Sequence, residues 1–296
     1  MNVAVDRVAV ADTVEVDHLL QIHTALMEHS DRPEVGGVER TRQNWIGGND
    51  FNPCYAAYVP PPPEQVPALM EDLCAFVNRD DLPGTVQAGM AHAQFETIHP
   101  FADGNGRTGR ALIHVVLKRR ELATGFVPPI SLALATRASS YIDGLTRFRY
   151  EGSPDSVEAR DGLRDWLEVF LVATRRATAD AGELRARLQQ VETTWREVLR
   201  PRRDSAAATL LPMLIAHPVV AADDVQALTG ASRAAAFNAI EACVSAGILR
   251  QIGRQQRNRL FEAGEVFEVL TGYERAMATA SGDTRHERPN RPVPYR

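Results

Sequence analysis

The residues with the clearest chemical potential lie in one short segment, Glu96-Thr-Ile-His-Pro-Phe-Ala-Asp-Gly-Asn-Gly-Arg-Thr-Gly-Arg110. Gly104 and Gly106 flank Asn105 just before a helix that the pattern predicts to open at Arg107. Consecutive backbone N–H groups can converge on an anion there, close to the positive end of the helix. Arg107 and Arg110, on the first turn, add two guanidinium groups suited to phosphate oxygens. The segment therefore predicts a phosphate-binding site.

Two further side chains in this segment can act on a bound phosphate. Asp103 immediately precedes the glycines and supplies a hard oxygen ligand where a phosphate-bound Mg²⁺ would sit. His99 stands four residues earlier and can act as a general base near neutral pH. An anion cradle, a metal carboxylate and a base thus fall close together, which indicates phosphoryl-type transfer.

Two other interpretations of the same residues are weaker. Gly104-x-Gly106-x-x-Gly109 superficially matches a dinucleotide-binding fingerprint, but that motif follows a strand and here a helical pattern precedes it. His92, Glu96 and His99 share one face of the predicted helix and raise the alternative of a metal site. The adjacent pair of a zinc-protease motif is missing, so core packing is favoured for them.

The pattern His99-x-Phe101-x-Asp103-Gly104-Asn105-Gly106-Arg107-x-x-Arg110 resembles at every position the HxFx(D/E)GNGRxxR signature of the Fic family. Three flanking parts, namely 40–48, 58–63 and 69–76, look like parts of the long Fic proteins. The resemblance covers about residues 14–200.

This resemblance implies a helical fold and the transfer of AMP from ATP to a Ser, Thr or Tyr hydroxyl of a target protein, with Mg²⁺ as cofactor. In family terms, His99 is the general base, Asp103 holds Mg²⁺ and Phe101 anchors the loop in the core. The nucleotide phosphates would be bound by Gly104, Asn105, Gly106, Arg107 and Arg110. Gly106 distinguishes the chain from the kinase-like Doc branch, whose residues at the corresponding positions resemble Ala-Asn-Lys-Arg.

The resemblance also suggests two less specific sites. Tyr141 and Leu145 lie where the family's adenine pocket receives a Tyr, although an ordinary core or surface role explains them almost as well. A flap that pairs with the target's backbone would consist of Tyr55, Ala56, Ala57, Tyr58 and Val59, although a hairpin of this composition can be merely structural.

Helical spacing of apolar residues predicts helices over 14–29, 64–78, 85–98, 111–120, 131–150 and 155–199. Glycines and prolines predict loops and a short hairpin over 30–63. The expected fold is mainly α: a Fic-type helical bundle with a small flap hairpin over residues 1–200, its core at about 64–150.

A second domain is predicted over residues 201–272. Helices are expected over 206–216, 223–228 and 232–246, followed by strands over 247–252 and 259–261, which is the order of a winged helix-turn-helix. Residues 281–296 are polar and proline-rich, and we expect a disordered tail there.

DNA binding by this second domain does not follow from its fold. Arginines and acidic residues nearly balance over 205–270, and the recognition-like helix carries only Arg233, beside Glu241. The predicted wing is locally basic and could touch phosphate through Arg250, Arg254, Arg257 and Arg259. A protein-docking or architectural role is favoured, and the alternative function is a DNA-binding regulator whose Fic core only senses nucleotide.

Composition limits the class of protein. The chain has 44% hydrophobic and 24% charged residues, a formal net charge of −5 and three scattered cysteines. It has no long apolar run and no basic start leading into an apolar core, so we expect a soluble, cytoplasmic protein without membrane contact. The expected partners are ATP and a target protein, which the chain itself could provide; a homodimer is left open.

Many Fic proteins resemble one another in an inhibitory helix, (S/T)xxxE(G/N), whose Glu pairs with the second motif arginine. Ser30-x-x-x-Glu34 has the spacing, but Val35 follows and Pro33 lies inside the would-be helix. We therefore expect no inhibitory glutamate within this chain. Arg110 would then be free for the γ-phosphate and the chain constitutively active, or a separate small protein would supply the glutamate; a truncated gene start is the third explanation.

Overall fold

The computed structural model of the chain describes residues 2–49, 51–123, 128–253 and 259–279. Their contacts divide the chain into two compact units, Met1–Ala177 and Thr178–Arg296. The division falls inside one helix, Val157–Leu199, rather than at residue 200, where the sequence suggested it.

The first unit is helical, as predicted. Its α-helices are α1 (Asn2–Ala9), α2 (Val16–Met27), α3 (Val66–Val77), α4 (Gly84–Ile98), α5 (Asn105–Arg119), α6 (Ile130–Ala135), α7 (Ala138–Phe148) and the first part of α8 (Val157–Leu199). Short 3-10 turns lie at Pro33–Val35 and Pro63–Gln65. Together with the related structures reported below, this confirms the mainly α fold.

Helix α4 is the centre of this unit. Most of its residues are buried, and it packs against α3 on one side and α5 on another. Gly89 allows α8 to approach closely: a Cβ at that position would lie 2.8 Å from the ring of Phe170, and the Trp166 indole donates to the Gly89 carbonyl (2.9 Å). A helix buried on most faces holds its C-terminal end rigidly, and that end carries His99.

Several sequence predictions need correction. The helix predicted over 131–150 is two helices, because Arg137 leaves helical geometry (φ −123°, ψ 47°) at the start of α7. Helix α5 begins at Asn105, two residues before the predicted opening at Arg107. Helix α1 was not predicted, since its alternation of Val and Ala with charged residues hides a helical period.

The predicted flap hairpin is reduced to one bridge, between Ile46 and Tyr58. The amide of Ile46 donates to the Tyr58 carbonyl (2.9 Å), and the Ala57 amide donates to the Ile46 carbonyl (2.7 Å). Longer pairing fails because Gly47 and Gly48 both have positive φ and four prolines follow from residue 60 without N–H donors.

The second unit combines helices with a small sheet. It holds the rest of α8, then α9 (Ala206–Ala216), β1 (Val219–Val220), α10 (Ala222–Thr229), α11 (Arg233–Ser245), β2 (Arg250–Ile252), β3 (Leu260–Glu262) and α12 (Gly264–Ala276). The strands form an antiparallel sheet in the order β1-β3-β2. Strand β1 and helix α12 were not predicted, whereas the order of the other elements agrees with the sequence.

Apolar residues of α9, α10, α11 and the sheet share one core, which includes Leu210, Val225, Ile240 and Phe261. Trp195 of α8 is buried in the same core and donates its indole N–H to Glu265 (3.0 Å). The winged-helix assignment itself stays a prediction, and the predicted tail over 281–296 lies outside the described residues. Among the helices that the structure describes, none is both long and apolar enough to cross a bilayer.

Candidate active site

The predicted phosphate-binding segment forms the connection between α4 and α5. His99 ends α4 in the left-handed conformation (φ 49°, ψ 58°), and Gly104 starts α5 in the same region (φ 76°). Left-handed backbone at both ends reverses the chain within six residues, 99–104, and places the base beside the start of α5.

A side chain closes this loop on itself. The Asn105 carboxamide accepts from the Phe101 amide (2.8 Å) and donates to the Phe101 carbonyl (2.7 Å). Both residues are buried, and the Phe101 ring is fully enclosed. The structure therefore places Phe101 in the core, as the family resemblance implies for a loop anchor.

The start of α5 offers an anion its backbone amides. Gly104 provides no side-chain cap, so amides of the first turn are left without an intrahelical or capping partner. A Cβ on Gly106 would lie 3.0 Å from the Arg110 guanidinium, so Arg110 folds back over this turn. The amides and Arg110 lie together at this helix start, and their role as a phosphate cradle stays a prediction.

Asp103 and Arg107 lie at the exposed edge of this cradle. One oxygen of Asp103 accepts from the Gly104 amide (2.6 Å), and the other is 3.9 Å from the Arg107 guanidinium. Both side chains are over 40% exposed. Asp103 thus keeps an oxygen directed to solvent next to the amides of α5, where a phosphate-bound cation would need it.

His23 of α2 supports the loop and was missed by the sequence analysis. Its ring stacks on Phe101 at 3.7 Å between centroids with an interplanar angle of 7°. The Gly37 amide donates to Nδ1 (3.0 Å), so the ring proton is assigned to Nε2, which donates to the Asp103 carbonyl (3.0 Å). Burial lowers the pKa of His23, in agreement with a neutral ring.

Arg40 is a second support that the sequence did not reveal. It is buried, and its guanidinium donates to the His99 carbonyl (2.9 Å) while its amide donates to the Pro100 carbonyl (2.8 Å). Asn44 adds a bond from its side-chain amide to the Phe101 carbonyl (3.0 Å). The segment before the flap therefore fixes the main chain at the base and immediately after it.

The environment of His99 keeps its imidazole neutral. Burial lowers the pKa of His99 to about 4, and the charges of Arg149 and Arg40 act in the same direction. The side chain is 18% exposed, but Nδ1 is buried, so only the other edge of the ring, with Nε2, is left to meet a substrate. A neutral imidazole with one accessible nitrogen suits a general base.

The alternative metal site at His92, Glu96 and His99 is not formed. Within the described residues no three potential ligands from His, Cys, Asp and Glu group around one point. His92 is fully buried and its Nε2 lies 3.1 Å from the hydroxyl of Tyr141. Burial lowers the pKa of His92 to about 4, so it is a neutral core residue, the interpretation that the sequence favoured.

Tyr141 and Leu145 lie on α7. Tyr141 meets the edge of α4 through His92 and packs near the Trp166 ring (6.0 Å between centroids), while Leu145 is buried. Their assignment to an adenine pocket stays a prediction.

The flap lies next to the base. The Tyr58 hydroxyl donates to the Thr97 carbonyl (2.9 Å), and the Arg149 guanidinium lies 3.7 Å above the Tyr58 ring. Arg149 also donates to the Glu96 carbonyl (3.0 Å). Tyr55, in contrast, is 93% exposed. One tyrosine therefore fastens the flap to the end of α4, and the other projects into solvent.

Two arginines of the sheet region in the second unit form ion pairs. Arg250 contacts Glu262 (2.5 Å) and Arg259 contacts Glu241 (3.2 Å). Arg233 lies over the Phe237 ring. Arg254 and Arg257, the other two arginines of the predicted wing, lie outside the described residues. DNA binding stays a prediction that these pairs do not strengthen.

The possible inhibitory segment Ser30–Glu34 does not form an α-helix. Glu34 sits in the 3-10 turn Pro33–Val35, and its carboxylate is 3.5 Å from Arg32 with both side chains exposed. This agrees with the expectation from Pro33 and Val35.

Comparison with known proteins matches this site to a family. The sequence model of the Fic/DOC family matches residues 13–117, which include the whole loop. "Protein adenylyltransferase fic-1" of Caenorhabditis elegans is 32% identical over 134 residues, 44% of this chain and 23% of the relative. "Protein adenylyltransferase Fic" of Culex quinquefasciatus is 34% identical over 122 residues, 40% of this chain and 22% of the relative.

The matched region thus spans less than a quarter of these curated relatives. Among solved structures, a Fic family protein from Desulfovibrio desulfuricans G20 aligns over 88% of this chain and 72% of its own, with a TM-score of 0.50 and 20% identity. At that identity the likeness concerns the fold. The motif, the match over residues 13–117 and this shared fold agree: residues 13–117 match the Fic/DOC family model, and the chain shares the fold of a Fic family protein.

Proposed function

We propose that this chain transfers AMP from ATP to a hydroxyl group of a protein. The observation that carries the proposal is the loop between α4 and α5, which sets a neutral, partly accessible His99 beside a helix start without a side-chain cap. The names of the relatives, protein adenylyltransferases, support the same reaction.

In this reaction His99 removes the proton from a Ser, Thr or Tyr hydroxyl through Nε2. The hydroxyl oxygen then attacks the α-phosphorus of ATP, a P–O bond forms, and the bond to the β-phosphate oxygen breaks. Pyrophosphate leaves with the electron pair of that bond. Most of the rate gain comes from positioning and from charge neutralisation rather than from covalent chemistry.

The start of α5 holds the triphosphate. Backbone N–H groups at Asn105, Gly106 and Arg107 point along the helix axis toward the anion, and the Arg107 and Arg110 guanidinium groups neutralise the outer phosphates. Gly106 matters because any side chain there would displace Arg110, whose guanidinium lies 3.0 Å from the position of its Cβ.

Mg²⁺ fits this site through Asp103. Asp103 is the carboxylate next to the amides that start α5, and it would be the protein's ligand to the ion. Mg²⁺ in nucleotide sites is held in that way, by one or two carboxylates with phosphate oxygens and water. When bound, the ion would neutralise charge on the phosphates.

The target would approach along the flap. In the segment 55–59 the Ala56 amide donates to Pro53 and the Ala57 and Tyr58 amides donate to Ile46, so an extended segment of another protein would pair with the main-chain groups outside these bonds. Tyr58 holds this segment against α4 through Thr97 and Arg149, which keeps an incoming hydroxyl within range of His99.

Transfer of label tests the proposal directly. The purified chain is incubated with Mg²⁺ and ATP labelled at the α- or the γ-phosphate, alone and with cell lysate, and protein-bound label is counted. We expect label from the α-position only, and its loss in His99→Ala. His29→Ala, at an exposed histidine of the same unit, is the matched control and should retain transfer.

Two results would contradict the proposal. Label from the γ-position would indicate phosphorylation instead of AMP transfer. Absence of label combined with nucleotide-dependent binding to DNA would favour the alternative function, a DNA-binding regulator whose Fic core only senses nucleotide.

A further inference from the structure

A buried carboxylate lies behind the base. Glu96, in the last turn of α4, is 5% exposed, and its Oε2 is 3.9 Å from Nδ1 of His99. Neither Glu96 Oε1 nor His99 Nδ1 has a hydrogen-bond partner among the described residues. Oε2 is thus the carboxylate oxygen that faces the unpartnered Nδ1, while the unpartnered Oε1 lies toward Gly109 of α5.

The neighbouring helix provides the space for this carboxylate. A Cβ on Gly109 of α5 would lie 2.8 Å from Glu96 Oε1, closer than real atoms approach. Gly109 is one of the positions that the Fic signature leaves unspecified. The glycine therefore has a local reason: it leaves room between α4 and α5 for the Glu96 carboxylate, and also for the Phe95 ring (3.0 Å) and His92 Nδ1 (3.2 Å).

We propose that Glu96 is a positioning residue for the base, accepting a hydrogen bond from Nδ1–H of His99 so that Nε2 is unprotonated and directed at the target hydroxyl. When the hydroxyl proton moves to Nε2, the proton on Nδ1 stays on the ring, and the positive imidazolium then faces the carboxylate. This inference rests on the proposed AMP transfer for its kinetic consequence and on geometry alone for the orientation of the ring. The distance of 3.9 Å shortens to a hydrogen bond by a small rotation of either side chain, as active-site contacts commonly do when substrate binds.

The competing acceptor is the main-chain carbonyl of Glu96, which also lies near the His99 ring. Arg149 already donates to that carbonyl at 3.0 Å, which leaves one of its two lone pairs for Nδ1–H. A carbonyl neither titrates nor disappears on side-chain substitution. Glu96→Gln should therefore change the protonation of the His99 ring if the carboxylate is the acceptor, and leave it unchanged if the carbonyl is.

The groups facing the carboxylate determine where it ionises. They are His92 and His99 of α4, Arg110 of α5, Tyr141 of α7 and Arg149 beyond it. Burial raises the pKa of Glu96 to about 7, and the two arginines limit the rise. The carboxylate is therefore ionised above about pH 7 and protonated below. Its ability to accept the hydrogen bond from Nδ1–H of His99 therefore increases as pH rises.

Nuclear magnetic resonance of the full chain tests the orientation without reference to activity. The ¹⁵N shifts of the His99 imidazole at pH 8 give the fraction of rings protonated at Nδ1. We expect this fraction to dominate in the parent and to fall several-fold in Glu96→Gln. Glu71→Gln, at an exposed carboxylate of α3, is the matched control and should leave it unchanged. An unchanged fraction in Glu96→Gln would overturn the proposal and assign the ring to the carbonyl.

AMP-transfer kinetics provide the second arm. In Glu96→Gln we expect kcat to fall on the order of 10²-fold, the effect of a misplaced catalytic group, with KM for ATP unchanged. The parent-to-variant ratio of kcat should rise with pH through about 7, since only the parent carries the titrating carboxylate. Equal pH profiles, or a loss confined to KM, would overturn the role.

Gly109→Ala keeps the carboxyl group but removes its space, so it should lower kcat in the same direction. In the double variant with Glu96→Gln, the fold-loss of kcat should be smaller than the product of the two single losses, because both changes act on one contact. Thermal unfolding of each variant confirms that the fold is kept. If the parent transfers no AMP at all, the proposed function fails, while the resonance experiment still decides the orientation of His99.

Discussion

Replacing Gly104 by Ala tests the packing around the phosphate loop. Gly104 has φ 76°, a left-handed conformation that an L-residue adopts at about 1–2 kcal/mol. An added Cβ would also lie 2.8 Å from the sulfur of Met27 and 2.9 Å from Nε2 of His23. Methionine can swing aside, but the His23 ring is held at both nitrogens and by its stack on Phe101.

Displacement of His23 would break its bond to the Asp103 carbonyl, a contribution of about 0.5–1.5 kcal/mol. Added to the backbone term, this predicts that Gly104→Ala lowers the free energy of unfolding of the first unit by about 1.5–3.5 kcal/mol. The matched control is Gly230→Ala. Gly230 has φ 68° but no atom within 4 Å of its Cβ position, so it should show the backbone term alone.

Urea denaturation with hydrogen exchange read by mass spectrometry separates these effects, because peptides report on each unit individually. We expect a larger loss of protection in residues 99–108 of Gly104→Ala than in any peptide around Gly230 of the control. If Gly104→Ala destabilises its unit no more than Gly230→Ala destabilises its own, the contact with His23 is not a constraint and the reasoning is refuted.

Three further outcomes concern the same site. His99→Ala should reduce AMP transfer by about 10²–10⁴-fold while ATP affinity, measured by calorimetry, changes little, since the imidazole acts on the nucleophile; an equal loss of affinity would contradict the role as base. Asp103→Ala should abolish the response of transfer to Mg²⁺; a variant that responds like the parent would show that another group holds the ion. Because the pKa of Glu96 is raised from 4.5 to about 7 in the folded state, its contribution to stability is present at low pH and lost as pH rises through about 7. The unfolding free energy of the parent should therefore fall by up to about 3 kcal/mol relative to Glu96→Gln between pH 5 and 8, and parallel curves would show that the carboxylate is not buried in this way.

The phosphate loop could be predicted because its chemistry is local. Its glycines, Asn105 and two arginines act within a few residues of one another, and the backbone conformation that they require is visible in their types. Most helices could also be predicted, since a buried stripe repeats along each. The break after Ala135 could not, because it depends on the geometry of Arg137 and not on a Gly or Pro.

The supports of the loop were beyond sequence reasoning for a different reason. His23 meets Asp103 across 80 residues, Arg40 meets His99 across 59, and Arg149 meets Glu96 across 53. Each has an ordinary local context: His23 on an amphipathic helix, Arg40 in a loop, Arg149 after a helix. Nothing in those contexts distinguishes them from solvent-exposed polar residues, and only the packing of α2 and the segment after α7 against the loop gives them a role.

The difference between local and long-range contacts also separates the two halves of the proposed reaction, phosphate binding and proton removal by the base. The phosphate half depends on backbone geometry within α5, so substitutions at Gly104 or Gly106 should act on nucleotide affinity. The base half depends on side chains contributed by distant elements, and Arg149 lowers the pKa of His99 while fastening Tyr58 of the flap. Because one guanidinium serves both the base and the flap, a change at Arg149 would alter target approach and base strength together while leaving the phosphate cradle intact.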